Sequence, residues 1–164
     1  MKQLKHKDMK NIVFLIALLF YVLAASAQKI QRERPWSINA SGGYAASSGA
    51  DIGLFNIGVQ RHLSKYFSAG GGTGMYYFDG VVIPVYADVR GYYPFENSNF
   101  SLIGIVRTGV GIHTNGESVV FGFDVLPGVG LKITNCSFLH LNIGICNFDS
   151  RTMGVIQLGY SYSW

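Results

Sequence analysis

From Trp36 onward, apolar and polar residues alternate with a period of two, and short polar turns interrupt the alternation at intervals. That period places successive side chains on opposite faces of a β-strand, whereas a helix repeats every 3.6 residues. The pattern predicts eight strands: Trp36–Ala46, Ile52–Leu63, Phe67–Phe78, Val81–Tyr93, Phe100–Ile112, Ser118–Ile133, Ser137–Phe148 and Thr152–Trp164. The turns between them are short and polar. Asp79-Gly80 is a two-residue hairpin signal that favours a type I′ turn. No linker or low-complexity tract divides the segments, so the pattern predicts one all-β domain.

The two faces differ in kind. In the last segment Ile156, Leu158, Tyr160, Tyr162 and Trp164 oppose Gln157, Gly159, Ser161 and Ser163. In the seventh, Leu139, Leu141, Ile143 and Ile145 oppose His140, Asn142, Gly144 and Cys146, and in the first, Trp36, Ile38, Ala40 and Tyr44 oppose Ser37, Asn39, Ser41 and Gly43. A soluble sheet would carry many Lys and Glu on its polar face. Here that face holds Gly, Ser and Asn with isolated charges, which suits a narrow, crowded interior. The apolar face then meets lipid. Most segments run 11–13 residues, against the roughly 9–11 needed to cross a bilayer at a tilt. Hydrocarbon tolerates no unpaired strand edge, so the sheet must close, and an even strand number puts both chain ends on one side.

The first residues read as an export signal. Lys2, Lys5, Lys7 and Lys10 precede an apolar run from Ile12 to Ala25, which ends in Ala25-Ser26-Ala27. The run is shorter than the roughly 20 residues of a membrane-spanning helix and has the layout of a secretory signal peptide. We assign residues 1–27 to the signal and 28–164 to the barrel; Met9 is an alternative start. Composition agrees. Charged residues are 13% and glycine is 21 of 164, against about 25% and 7% in ordinary soluble domains. Removing the signal leaves nine basic against eight acidic residues, a net charge of +1. The basic precursor therefore implies no nucleic-acid surface.

With these features the segment Trp36–Trp164 resembles the small outer-membrane β-barrels of the OmpA/OmpX type. The most specific likeness is the ending Gly159-Tyr160-Ser161-Tyr162-Ser163-Trp164. The resemblance implies that Tyr160, Tyr162 and Trp164 are the side chains read by the outer-membrane assembly machinery. Ile83-Pro84-Val85-Tyr86-Ala87-Asp88-Val89-Arg90 is a weaker likeness. Such barrels serve many functions, so the resemblance implies the fold rather than a role.

Several residues carry chemistry. By parity Asp88, Arg90, Arg107 and Asp124 face inward near mid-depth on neighbouring strands. Two acids and two bases make a neutral set, read either as a charged constriction for ions or protons, or as paired charges filling a lumen too narrow for bulk water. The second reading is favoured, since eight strands leave room only for side chains. His140 faces inward with no evident nucleophile beside it, and His62 and His113 are expected to be solvated. Pro127 is expected to mark a bulge that would invert the facing of residues 128–133; Pro84 is expected near a rim. Gly70, Gly71, Gly72 and Gly74 are expected to admit curvature against a large neighbour. Trp36, Tyr44, Tyr66, Tyr76, Tyr77, Tyr92, Tyr93, Tyr160, Tyr162 and Trp164 are expected to form girdles near the strand ends. Cys136 and Cys146 are too far apart along one strand to bridge. No cofactor, metal or nucleic acid is expected.

The expected role is a non-enzymatic outer-membrane barrel with a filled lumen that serves envelope integrity or docking. The alternatives are a narrow channel for ions or small solutes, a lipid-modifying enzyme resting on His140, and a soluble lipocalin-like binder. The pattern fixes no oligomeric state. The expressed chain should appear in the outer membrane as a detergent-resistant band that shifts on boiling. A soluble exported protein without the shift would turn the barrel inside out and make the apolar face a ligand cavity.

Overall fold

The computed structural model describes residues 35–47, 50–77, 80–114, 119–148 and 151–164. The signal assignment, the Met9 alternative and Asp79 lie outside them. Eight strands follow in chain order: β1 (Trp36–Ser47), β2 (Ala50–His62), β3 (Phe67–Tyr77), β4 (Val81–Pro94), β5 (Phe100–His113), β6 (Val119–Lys132), β7 (Ser137–Phe148) and β8 (Arg151–Ser163). They begin and end within two residues of the predicted bounds. Each pairs antiparallel with its neighbours, and β8 pairs with β1 from Ser37↔Ser163 to Ala46↔Gly154, closing the barrel.

Closure creates two rims. The terminal rim carries Trp36, Trp164 and the β2–β3, β4–β5 and β6–β7 turns; the loop rim carries the other connections. The alternation resolves as expected, with the small and polar face inside. Outside, the wall exposes Ile38, Ile57, Val85, Val106, Ile143 and Leu158 among many others. The interior has two parts. Toward the loop rim Ala45, Ile52, Leu54, Tyr76, Val82 and Phe148 belong to one apolar plug. Toward the terminal rim the buried side chains are mainly polar, including Ser37, Asn39, Gln60, Asp88, Arg90 and His140.

The prolines behave differently from expectation. Pro127 marks no bulge. Its pairing with β5 runs unbroken through Leu126↔Ile105, Pro127↔Gly104 and Gly128↔Ile103. On the β7 side the pairs at 126 and 127 are absent, and the same register resumes at Gly128↔Asn142. The missing N–H thus removes local pairing on one side only, and the flanking ladder holds the phase. Alternation continues, so Gly130 is buried and Lys132 has inward parity but lies exposed at the terminal rim. Pro84 uses the same device near the loop rim. It pairs with Gly111 on β5, β3 skips it, and the Thr73 hydroxyl donates to its carbonyl at 2.7 Å.

Of the β3 glycines, Gly72 has the large neighbour expected of it, whereas at Gly70 and Gly74 an added Cβ would first meet the Val59 and Phe55 carbonyl oxygens of β2. Tyr86 lies across Gly58 and Gly72, and its hydroxyl donates to the Ile57 carbonyl at 3.1 Å. A Cβ on Gly72 would sit 2.1 Å from the Ile57 oxygen and 2.7 Å from the Tyr86 hydroxyl. Gly80, at φ 129°, occupies a conformation L side chains rarely adopt.

Other expectations are corrected. Tyr76 and Tyr92 do not join the girdles. Tyr76 is buried edge-on to Phe148 at 5.6 Å, and Tyr92 meets Phe138 inside the terminal rim at 6.0 Å. The alternation points both inward, and closeness to a strand end does not override parity. His62 and His113 are half-buried rather than solvated, with the His62 ring 6.2 Å from Tyr92. As expected, the cysteines are unbridged: Cys136 lies in the β6–β7 turn and Cys146 is buried.

Replacing Gly72 by valine should destabilise the barrel by about 1–3 kcal/mol, as overpacking of a filled interior does. Gly104 faces outward, and a Cβ added there would meet no atom within 4 Å, so Gly104→Ala should change stability by less than about 0.5 kcal/mol. Urea unfolding in lipid, followed by tryptophan emission, compares the two.

Candidate functional site in the barrel lumen

The alternation of β4, β5 and β6 turns Asp88, Arg90, Arg107 and Asp124 into the lumen, where none is more than 7% exposed. The register opposes Asp88 to Arg107 and Arg107 to Asp124, setting three charges in a row across three strands. Yet the ion pairs do not simply follow the ladder. Arg90 reaches back along its own strand, with Nε and Nη2 each 2.9 Å from Asp88 Oδ2. Arg107 pairs across strands, Nη1 to Asp124 Oδ2 at 3.2 Å.

Neutral groups complete the set. The Gln60 amide donates to Asp88 Oδ1, and Ser68 Oγ donates to Gln60 Oε1 at 3.3 Å. Arg90 Nη2 donates to Asn39 Oδ1 at 2.6 Å. The Arg107 guanidinium lies over the Tyr86 ring, 4.4 Å from its centroid. The formal charges cancel, and each carboxylate has a cation partner, as burial requires. Two gaps flank the Arg107–Asp124 side of the lumen, about 20 Å³ and 10 Å³ in volume. Each has room for about one water. The arrangement cross-links strands on facing walls of the barrel.

Gln60 and Tyr86 are among the partners that sequence reasoning did not assign. Parity already pointed both inward. What parity lacks is the stagger between strands, which brings Gln60 on β2 to Asp88 on β4 across the intervening β3.

His140 is inward and 3% exposed. Its Nδ1 donates to Asn142 Oδ1 at 2.6 Å, and Asn142 in turn donates to the Leu126 carbonyl at 3.1 Å. The ring stacks on Phe138 and lies over Gly159, where a Cβ would come within 2.2 Å of it. Among the described residues no hydroxyl is hydrogen-bonded to either ring nitrogen, and no group of His, Cys, Asp and Glu could hold a metal ion. His140 therefore stands as a packed, hydrogen-bonded interior side chain.

The terminal residues lie on the other surface. Tyr160, Tyr162 and Trp164 face outward at the terminal rim, 42–52% exposed, and the Tyr160 hydroxyl shares a hydrogen bond with Ser137 Oγ at 2.8 Å.

No protein-family model and no curated protein sequence matches the chain. Solved structures do. Neisserial surface protein A is similar at 13% identity and a TM-score of 0.57, over 79% of this chain and 96% of that one. The N-terminal β-barrel domain of Pseudomonas aeruginosa OprF is similar at 12% identity and 0.54, over 78% and 97%. A de novo designed transmembrane β-barrel is similar at 15% identity and 0.54, over 82% and 99%. The shared property is the fold: this chain has the all-β, closed eight-stranded antiparallel fold of these transmembrane barrels.

Arg107→Leu would strand the Asp124 carboxylate in the lumen and should cost about 3–5 kcal/mol. Arg107→Leu with Asp124→Leu removes both charges and should recover most of that loss. Urea midpoints of the three proteins in one lipid measure the difference.

Proposed function

We propose that this barrel resides in the outer membrane and serves the envelope through its outer surface and rims, in a structural or docking role, without catalysing a reaction. One observation carries the reading: the lumen is occupied by its own side chains. An apolar plug lies toward the loop rim, and paired charges lie at mid-depth. An eight-stranded barrel has little interior to spare beyond this.

Other features support it. The connections at the loop rim span only 48–49, 78–80, 114–118 and 149–150, too short to build a separate binding head. Contact with other molecules then falls to the wall and the rims. The fold shared with Neisserial surface protein A and the OprF domain supports outer-membrane placement by analogy. Outer-membrane lipid is the constant partner of the wall. The assembly machinery would read Tyr160, Tyr162 and Trp164, whose outward placement suits that use.

Purified barrel reconstituted in planar bilayers should give no conductance steps. Steps that vanish in Arg107→Gln would overturn the reading in favour of a narrow channel. Release of fatty acid from outer-membrane lipid that is lost in His140→Ala would overturn its non-enzymatic part.

A further inference from the structure

Among the described strand residues, Arg61 is the one cation on the outward face. It lies between the exposed Val59 and Leu63, where the neighbouring wall is apolar. A charge on a lipid-facing wall is tolerated near the interface and increasingly costly toward the midplane. Arg61 sits at the interface end. The β1–β2 register sets it opposite Trp36, and its guanidinium lies over the indole at 5.8 Å. In the turn that follows, Lys65 places its ammonium 4.6 Å from the Tyr66 ring centroid. Among the described residues no carboxylate pairs with either cation. Trp164 adjoins Trp36 through a backbone hydrogen bond of 3.0 Å.

Charge differs between the rims. The described residues of the terminal rim include Arg61, Lys65 and Lys132 against Glu96. The described residues of the loop rim include Asp51 against Arg151. Among the described residues the positive balance is at the terminal rim, so an anionic headgroup is favoured there.

We propose that Arg61 and Lys65, held over Trp36 and Tyr66, form a binding site for the phosphate of an anionic phospholipid in the leaflet that meets the terminal rim. The proposal rests on the barrel spanning a bilayer. The chemistry fits the residues. An aromatic face supports the flat side of a guanidinium while its N–H edge stays free, and that edge matches two phosphate oxygens. Indole and phenol rings settle at headgroup depth. Lys65, in the turn that follows β2, supplies a second positive charge at the same rim. Each basic residue near an anionic lipid surface strengthens attraction about fivefold.

The protein has two tryptophans, Trp36 and Trp164, both at this rim. Tryptophan emission therefore reports on the site. The barrel, folded in uncharged maltoside micelles, is titrated with phosphatidylglycerol, with phosphatidylcholine and with sodium phosphate. Phosphatidylglycerol should change the emission saturably. Arg61→Gln should need about fivefold more lipid for half-saturation, and Arg61→Gln with Lys65→Gln about twenty-fivefold more. Arg61→Lys, which keeps the charge without the planar fork, should fall between wild type and Arg61→Gln. Equal responses to the zwitterionic lipid or to free phosphate would overturn the proposal, as would unchanged titration in the double variant. The boiling shift of each protein is read in parallel. A variant that keeps the shift but loses the response speaks to the site, whereas a wild-type chain without the shift would overturn the spanning barrel itself.

Discussion

Hydrocarbon offers nothing to hydrogen-bond a peptide group, so a sheet in a bilayer survives only if its first and last strands meet. In this chain the meeting is the β1–β8 ladder, from Ser37↔Ser163 to Ala46↔Gly154. Once that ladder forms, the alternation along every strand acquires an inside and an outside. The apolar side chains have no core to enter, because the closed sheet leaves them facing out. The small and polar side chains have no solvent to enter, because an eight-stranded interior is hardly wider than the side chains themselves. Both consequences follow from one closure.

The interior meets the second consequence in three ways. Near the loop rim, ordinary apolar packing fills it. At mid-depth, large polar side chains do the filling, and each brings its own partner: Arg90 with Asp88 and Asn39, Arg107 with Asp124 and the Tyr86 ring. Elsewhere the backbone itself comes so close that only glycine fits, as at Gly72 beneath Tyr86 and Gly159 beneath His140. The same economy explains the prolines. A barrel cannot spare an edge, but it can lose a few pairings on one side of a strand when the ladder on the other side is intact, as it is at Pro84 and Pro127.

A filled interior moves function to the surface. The rims differ in charge and in aromatic character, and the terminal rim concentrates both tryptophans, the exposed Tyr160 and Tyr162, and the cations stacked on rings. Depth in the bilayer is thereby encoded by side chains whose apolar body and polar tip want different surroundings. The wall between the rims is uniform by comparison, as contact with acyl chains requires.

Much of this was legible in the residues alone. A period of two in hydrophobicity determined eight strands, their bounds, their inner and outer faces, and the inward placement of Asp88, Arg90, Arg107 and Asp124, because side-chain direction along a strand is a local property. The tertiary structure decided what depends on strands far apart in sequence. It set Arg90 against Asn39 across the barrel, brought Gln60 to Asp88 over the glycines of β3, and laid Tyr86 under Arg107. It kept β6 in phase through Pro127. Each of these depends on the stagger and curvature of the closed sheet. Parity says which way a side chain points; only closure says what stands opposite it.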